Sequence, residues 1–229
     1  MKLLFIPGSG GGKEEWVCQT QHFTDSEAIA LPGHPEGEPC SSIDDYVEWL
    51  RGYIHQNRYQ DVIIGGHSLG GAIVQLYGQK YGDEVRALVL IGTGARLRVL
   101  PSFLASLEAM VTDDVAWRQY VADTYRFVDP KIRQVVAKAR MLIGPAVMLS
   151  DLLCCDKFDI MDKVHTIKLP TLVICGSEDE LTPVKYAHYL TNNIKGAKQV
   201  IIDGTGHFVF LEKPKEVNQA IREFLGSLN

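Results

Sequence analysis

The chain has 229 residues, of which 46% are hydrophobic and 22% charged, and its formal net charge is −5. That length is enough to bury one sizeable core, and the composition excludes an intrinsically disordered chain. The acidic balance argues against a nucleic-acid partner, which would favour a basic face, and no apolar run approaches the ~20 residues needed to span a bilayer.

In chain order, the first apolar run is Leu3 to Ile6. It is too short for a signal-peptide core and meets glycines at once, so it reads as a buried strand entering a loop. That loop, Pro7-Gly-Ser-Gly-Gly-Gly12, carries four glycines that let backbone approach a ligand closely. GSGGGK is too compact for the phosphate-binding pattern G-x-x-x-x-G-K-[ST]. A second run, Ala28 to Leu31, precedes PGHPEG. Ser41 and Ser42 can cap a helix from Ile43 to about Gln56, with Asp44 and Asp45 where the helix dipole favours acids. Val62 to Ile64 runs into GGHSLGG, and a helix is predicted from Leu69 to Tyr81. Ala87 to Ile91 precedes GTG.

Residues 95–165 break this rhythm. They hold no convincing strand run, and Ile132, Val135, Val136, Ala139 and Ile143 recur at helical spacing. The alternation then resumes. Thr171 to Cys175 precedes GSEDELTP, where Pro183 is placed to start a helix through Leu190. Gln199 to Ile202 precedes DGTGH, and Pro214 opens a final helix to Leu225 with Val217, Ile221 and Leu225 on one face.

Six apolar runs without alternation are what strands look like when both faces are covered. The expected fold class is α/β: a mostly parallel sheet of about six strands flanked by helices. The core is expected over 1–94 and 166–229. A helical cap over 95–165 would lie above the strand ends, where open α/β sheets place ligands.

The strongest chemical signal is Gly66-His-Ser68-Leu-Gly70, a G-x-S-x-G between a strand and a helix. A nucleophile on so sharp a turn needs glycines where a Cβ would clash. Ser68 is therefore the candidate nucleophile, and a serine hydroxyl needs a base. His207, just after the last strand, is the best placed histidine. His22, His55, His165 and His188 lie on helices or undefined segments, His67 is expected to pack and point away from Ser68, and His34 is expected to be structural. An acid should orient the base; Asp179 follows the fifth strand, with Glu178 as its rival. An oxyanion hole would use the N–H of Leu69 and, by position, that of Ser9. The histidines form no metal-ligand cluster, so no metal and no cofactor are expected. Five cysteines in an odd, irregular pattern read as free thiols in a reducing cytoplasm.

With these residues in place, the chain resembles the α/β-hydrolase superfamily, particularly its small capped serine hydrolases of carboxylesterase type. GHSLGG matches that family's nucleophile elbow, GSEDELTP its acid loop and GTGHFVFLEKP its histidine loop, while LPGHPEG resembles its D-x-P-G-H-G-x-S loop. The resemblance assigns the orienting acid to Asp179 and the base to His207. Two departures stand out: Pro7-Gly8 replaces the usual His-Gly, and Ala30 the usual aspartate. The family's leading antiparallel hairpin is missing from this pattern, which implies a smaller sheet with a more exposed edge.

The resemblance implies an esterase acting on a small or medium carboxylic ester through an acyl-enzyme. Hydrolysis of carbon–carbon or thioester bonds, a triad-based lyase, and a slow-hydrolysing small-molecule sensor are the alternatives. The predicted cap offers Met110, Trp117, Tyr120, Phe127, Met141 and Met148 for an apolar pocket, most of them expected as cap core. It also holds six arginines, Arg96, Arg98, Arg118, Arg126, Arg133 and Arg140, against nine acidic residues and four lysines, so solvated faces are the expectation.

Overall fold

The structure, a computed structural model, describes residues 1–228. The chain opens with β1 (Lys2–Ile6), a 3₁₀ turn at Lys13–Trp16, α1 (Val17–Thr20) and β2 (Ser26–Ala28). Then come α2 (Ile43–Gln56), β3 (Val62–His67), α3 (Leu69–Lys80) and β4 (Ala87–Ile91). Four helices follow: α4 (Pro101–Met110), α5 (Asp114–Thr124), α6 (Pro130–Ile143) and α7 (Pro145–Lys157). The chain ends with β5 (Thr171–Gly176), α8 (Val184–Asn193), β6 (Lys198–Ile202), α9 (Val209–Glu212) and α10 (Pro214–Gly226).

The strands form one six-stranded sheet in the order β2-β1-β3-β4-β5-β6, and every neighbouring pair is parallel. Side chains alternate across it, as period-two geometry requires. Leu4, Ile6, Ile64 and Leu90 pack beneath α2, α3 and α8. Leu3, Phe5, Ile63 and Val89 face the opposite side, where Trp16 and α10 cover them. Trp16 stacks between Phe5 and Phe210, with ring centres 4.5 and 4.4 Å away. The register pairs Ile6 with Gly66 and His67 with Ile91, so β1, β3 and β4 end in one row. The loops leaving β1, β3, β5 and β6 therefore emerge along one edge, and the candidate site residues lie on those loops or, for Leu69, at the start of α3.

Three local expectations need correction. The second strand is Ser26–Ala28, not Ala28–Leu31. It is an edge strand with β1 as its one neighbour, and one bond extends the pairing at each end: Leu3 N–H donates to Asp25 O and Ile29 N–H to Phe5 O, both at 3.0 Å. Ile29 and Leu31 are buried as loop instead. Pro183 precedes α8 rather than opening it, because its ψ of 156° is extended. Val135 is 49% exposed: the buried stripe of α6 is Val136, Arg140 and Ile143, an arginine having taken an inward position.

Helices α4–α7 all lie between β4 and β5. Their segment begins and ends side by side, with Ile160 N–H bonded to Ala95 O at 2.8 Å and Arg96 bridging Asp159. No helix among the described residues is long and apolar enough to cross a membrane.

Candidate active site

The turn from β3 into α3 puts Ser68 at φ 52°, ψ −113°, a costly conformation for a residue with a side chain. The surrounding glycines explain how it is tolerated. A Cβ on Gly66 would stand 2.2 Å from Gly70 O, and one on Gly70 would stand 2.4 Å from Ile6 O. Backbone crosses backbone here at a distance that only glycine allows. The turn is also pinned to β4: Ser68 N–H donates to Ile91 O at 3.0 Å, and Thr93 Oγ1 donates to Ser68 O at 2.9 Å.

The loop after β1 presses against this turn. A Cβ on Gly8 would lie 3.2 Å from Ser68 Cβ. Ser9 is next along the loop, and its hydroxyl faces Cys155 Sγ on α7 at 3.6 Å. Neither Ser9 N–H nor Leu69 N–H has an acceptor among the described residues. Leu69 opens α3, so its free N–H adds to the helix's positive end.

His207 donates from Nδ1 to Asp179 Oδ2 at 2.9 Å, which leaves the Nε2 lone pair free. Asp179 also accepts from Leu181 N–H at 2.9 Å, Thr182 N–H at 2.8 Å and Thr182 Oγ1 at 2.7 Å. Burial raises the Asp179 carboxyl, but the facing His207 and the Thr182 donors outweigh it and hold the group below the usual aspartate value. Glu178 and Glu180 line the nearby cavity, and neither is bonded to His207. Asp179, not Glu178, meets the histidine.

Ser68, His207, Ser9 and Gly8 line one cavity of about 740 Å³. Tyr120, Phe127 and Met148 join them from the four-helix segment, while Trp117 packs within the buried cluster beneath. His67 is buried and donates from Nε2 to His207 O at 3.0 Å, so it braces the histidine loop. Burial first, and then the neighbouring His207, push its basicity well below the usual histidine value. His34 is buried away from the cavity, as expected of a structural residue.

Two buried networks escaped the sequence reading. Asp151 of α7 is fully buried and accepts from Gly10 N–H at 2.8 Å, Tyr46 Oη at 2.7 Å and His34 Nε2 at 2.9 Å. Arg140 of α6 bonds Glu15 at 3.0 Å and Tyr125 at 2.7 Å. Their partners are more than a hundred residues away in most cases, so no local motif announces them. Among the described residues no cluster could hold a metal ion.

The pattern that defines the alpha/beta hydrolase family matches residues 3–220. The chain belongs to that family. As an alpha/beta hydrolase it also has informative relatives. A Mycoplasma pneumoniae protein bearing an esterase/lipase name is 29% identical over 88% of this chain and 78% of its own. A pimeloyl-acyl-carrier-protein methyl ester esterase of Neisseria meningitidis is 23% identical over 86% of this chain and 82% of its own. A solved thermophilic esterase superposes with a TM-score of 0.82 at 32% identity, covering 100% of this chain and 90% of the other.

Proposed function

We propose that this hydrolase cleaves a carboxylic ester of a small or medium substrate through an acyl-enzyme. Ser68 is the nucleophile, His207 the general base and Asp179 the acid that orients it. The observation that carries this reading is the strained Ser68 turn sharing one cavity with a histidine held by a buried aspartate.

The chemistry follows from the atoms. With Nδ1 committed to Asp179, His207 takes the Ser68 proton at Nε2 as the oxygen attacks the ester carbonyl. The developing oxyanion is met by the N–H groups of Ser9 and Leu69. His207 then protonates the leaving alcohol, and water repeats the attack on the acyl-serine to release the acid. No step needs a metal or organic cofactor. The segment 95–165 acts as a cap that shapes the substrate site, a reading supported by Tyr120, Phe127, Met148 and Leu152 lining the cavity that holds Ser68. The esterase names of the Mycoplasma, Neisseria and thermophilic relatives support an ester as the substrate. Five free thiols suit a reducing cytoplasm, and a small molecule is the only partner the mechanism needs.

The test is a chain-length series of p-nitrophenyl esters turned over by wild type beside Ser68→Ala. Multiple turnovers by wild type and silence from the variant are expected. Equal rates in both would remove Ser68 from the mechanism. If a fluorophosphonate labels Ser68 but no ester is turned over, the substrate belongs to the carbon–carbon, thioester or lyase classes.

A further inference from the structure

Arg126 and Arg140 of the 95–165 segment both line the cavity with Ser68, but Arg126 is exposed and Arg140 is only 2% exposed. Its hydrogen bonds leave it incompletely matched. Nε donates to Tyr125 Oη at 2.7 Å, Nη2 to Glu15 Oε1 at 3.0 Å, and Nη1 only to Met148 Sδ at 3.5 Å. A guanidinium has five N–H groups, and a thioether sulfur is a weak acceptor. One hydrogen on each Nη therefore has no acceptor among the described residues, and a third faces only sulfur.

The position of these donors relates them to the reacting ester. Met148, on α7, packs against the loop that carries Ser9: a Cβ on Gly10 would stand 2.7 Å from Met148 Cβ. Phe208, next to His207, has its ring centre 5.6 Å from the guanidinium. Met148 and Phe208 both line the cavity. The guanidinium thus stands beside two lining residues of the cavity, Met148 packed on the oxyanion loop and Phe208 on the histidine loop. A buried donor without a partner is costly, and a ligand that supplies the acceptor recovers that cost.

Charge decides which acceptor fits. The Glu15 carboxylate already balances the guanidinium across a fully buried contact. A substrate carboxylate would put two anions against one cation out of water. A neutral oxygen would satisfy the spare N–H groups without adding charge.

We propose that the favoured acyl group carries a neutral oxygen acceptor, such as an oxo, hydroxy or ether group, bound by Arg140. This rests on the esterase reading and names its substrate class.

The experiment compares kcat/KM for the p-nitrophenyl esters of hexanoic, 4-oxohexanoic and 5-oxohexanoic acids and for the monoester of adipic acid. One oxo ester is expected to exceed both the hexanoate and the adipate by about tenfold or more. In a Glu15→Gln, Arg140→Met double variant, which removes both charges together, the ratio of oxo ester to hexanoate is expected to fall to about one. A wild-type preference for the hexanoate overturns the proposal, and so does a preference for the adipate, which would mean that a cation of the cavity, Arg140, Arg126 or Lys213, reads charge. An oxo preference that survives in the double variant also overturns it. The wild-type ranking needs no variant, so a double variant that does not fold leaves the proposal open to refutation. The esterase reading fails separately, and this proposal with it, if no ester is cleaved and a fluorophosphonate leaves Ser68 unlabelled.

Discussion

Asp179 receives four hydrogen bonds, three of them from its own loop, and only the fourth from His207. The loop bonds fix the carboxylate before the histidine arrives, so the imidazole is held in one tautomer. Asp179→Asn is expected to keep the fold and reduce kcat by about 10³–10⁴, as loss of the correct tautomer does in triad enzymes. Steady-state kinetics on the best ester checks this. The same residue carries a pH signature. Its carboxyl is held below the usual aspartate value of about 3.9, so the folded state binds its proton less readily than the unfolded chain. The resulting stability is present above that usual value and is lost as pH falls through the folded value. The stability gap between wild type and Asp179→Asn, measured by urea unfolding, should therefore shrink from pH 5 to pH 3. At this scale the sequence was informative for Ser68, because the strand, the glycines and the helix are all local. It was less so for Asp179. Three acids stand in a row at 178–180, and which one turns inward depends on how Leu181 and Thr182 fold back on it.

Among the elements, α7 is tied most closely to the candidate site. Asp151 holds Gly10 N–H and Cys155 faces Ser9 Oγ, so one helix of the inserted segment touches two successive residues of the loop proposed to supply an oxyanion donor. Asp151→Asn replaces one acceptor oxygen by a donor among Gly10, His34 and Tyr46. It is expected to cost about 1–3 kcal/mol of stability. If the loop it releases supplies the proposed oxyanion donor, it should also lower kcat more than it raises KM. Tyr46→Phe removes a bond only from the other oxygen, Oδ1, and should lose stability while keeping more of kcat. Denaturation midpoints beside kcat and KM for both variants separate loop positioning from simple stability. Of the helices of this segment, α6 could be read from its apolar spacing, but Asp151 on α7 could not. Within Leu-Ser-Asp-Leu-Leu it looks like one polar residue on a helix, and its partners lie 105, 117 and 141 residues away. The edge strand β2 eluded the reading for a related reason. It has one neighbour and three residues, too little for an apolar run to mark its ends.

Across the whole molecule, the sheet separates two cores, and the inserted helices join the second of them through a buried ion pair. Glu15 sits in the turn after the first strand and Arg140 in α6, with Tyr125 bonded to both. Breaking such a pair from one side leaves an uncompensated charge out of water, which costs about 3–5 kcal/mol. Removing both charges together avoids that penalty. Arg140→Met alone is therefore expected to be destabilised by roughly that amount, Glu15→Gln alone by less because the amide can still accept a hydrogen bond, and the double variant by less than the sum of the two. Urea unfolding of the four proteins closes the cycle, and an additive result would show that the pair does not couple the inserted helices to the sheet. Tryptophans report on each part during the same titrations: Trp16 on the second core, Trp49 on α2 and Trp117 on the inserted helices. With the pair intact, fluorescence and circular dichroism should follow one coincident transition. In Arg140→Met, an early fluorescence change ahead of the main transition would mean that the inserted helices loosen before the sheet, and the pair would then be what makes the molecule unfold as one unit.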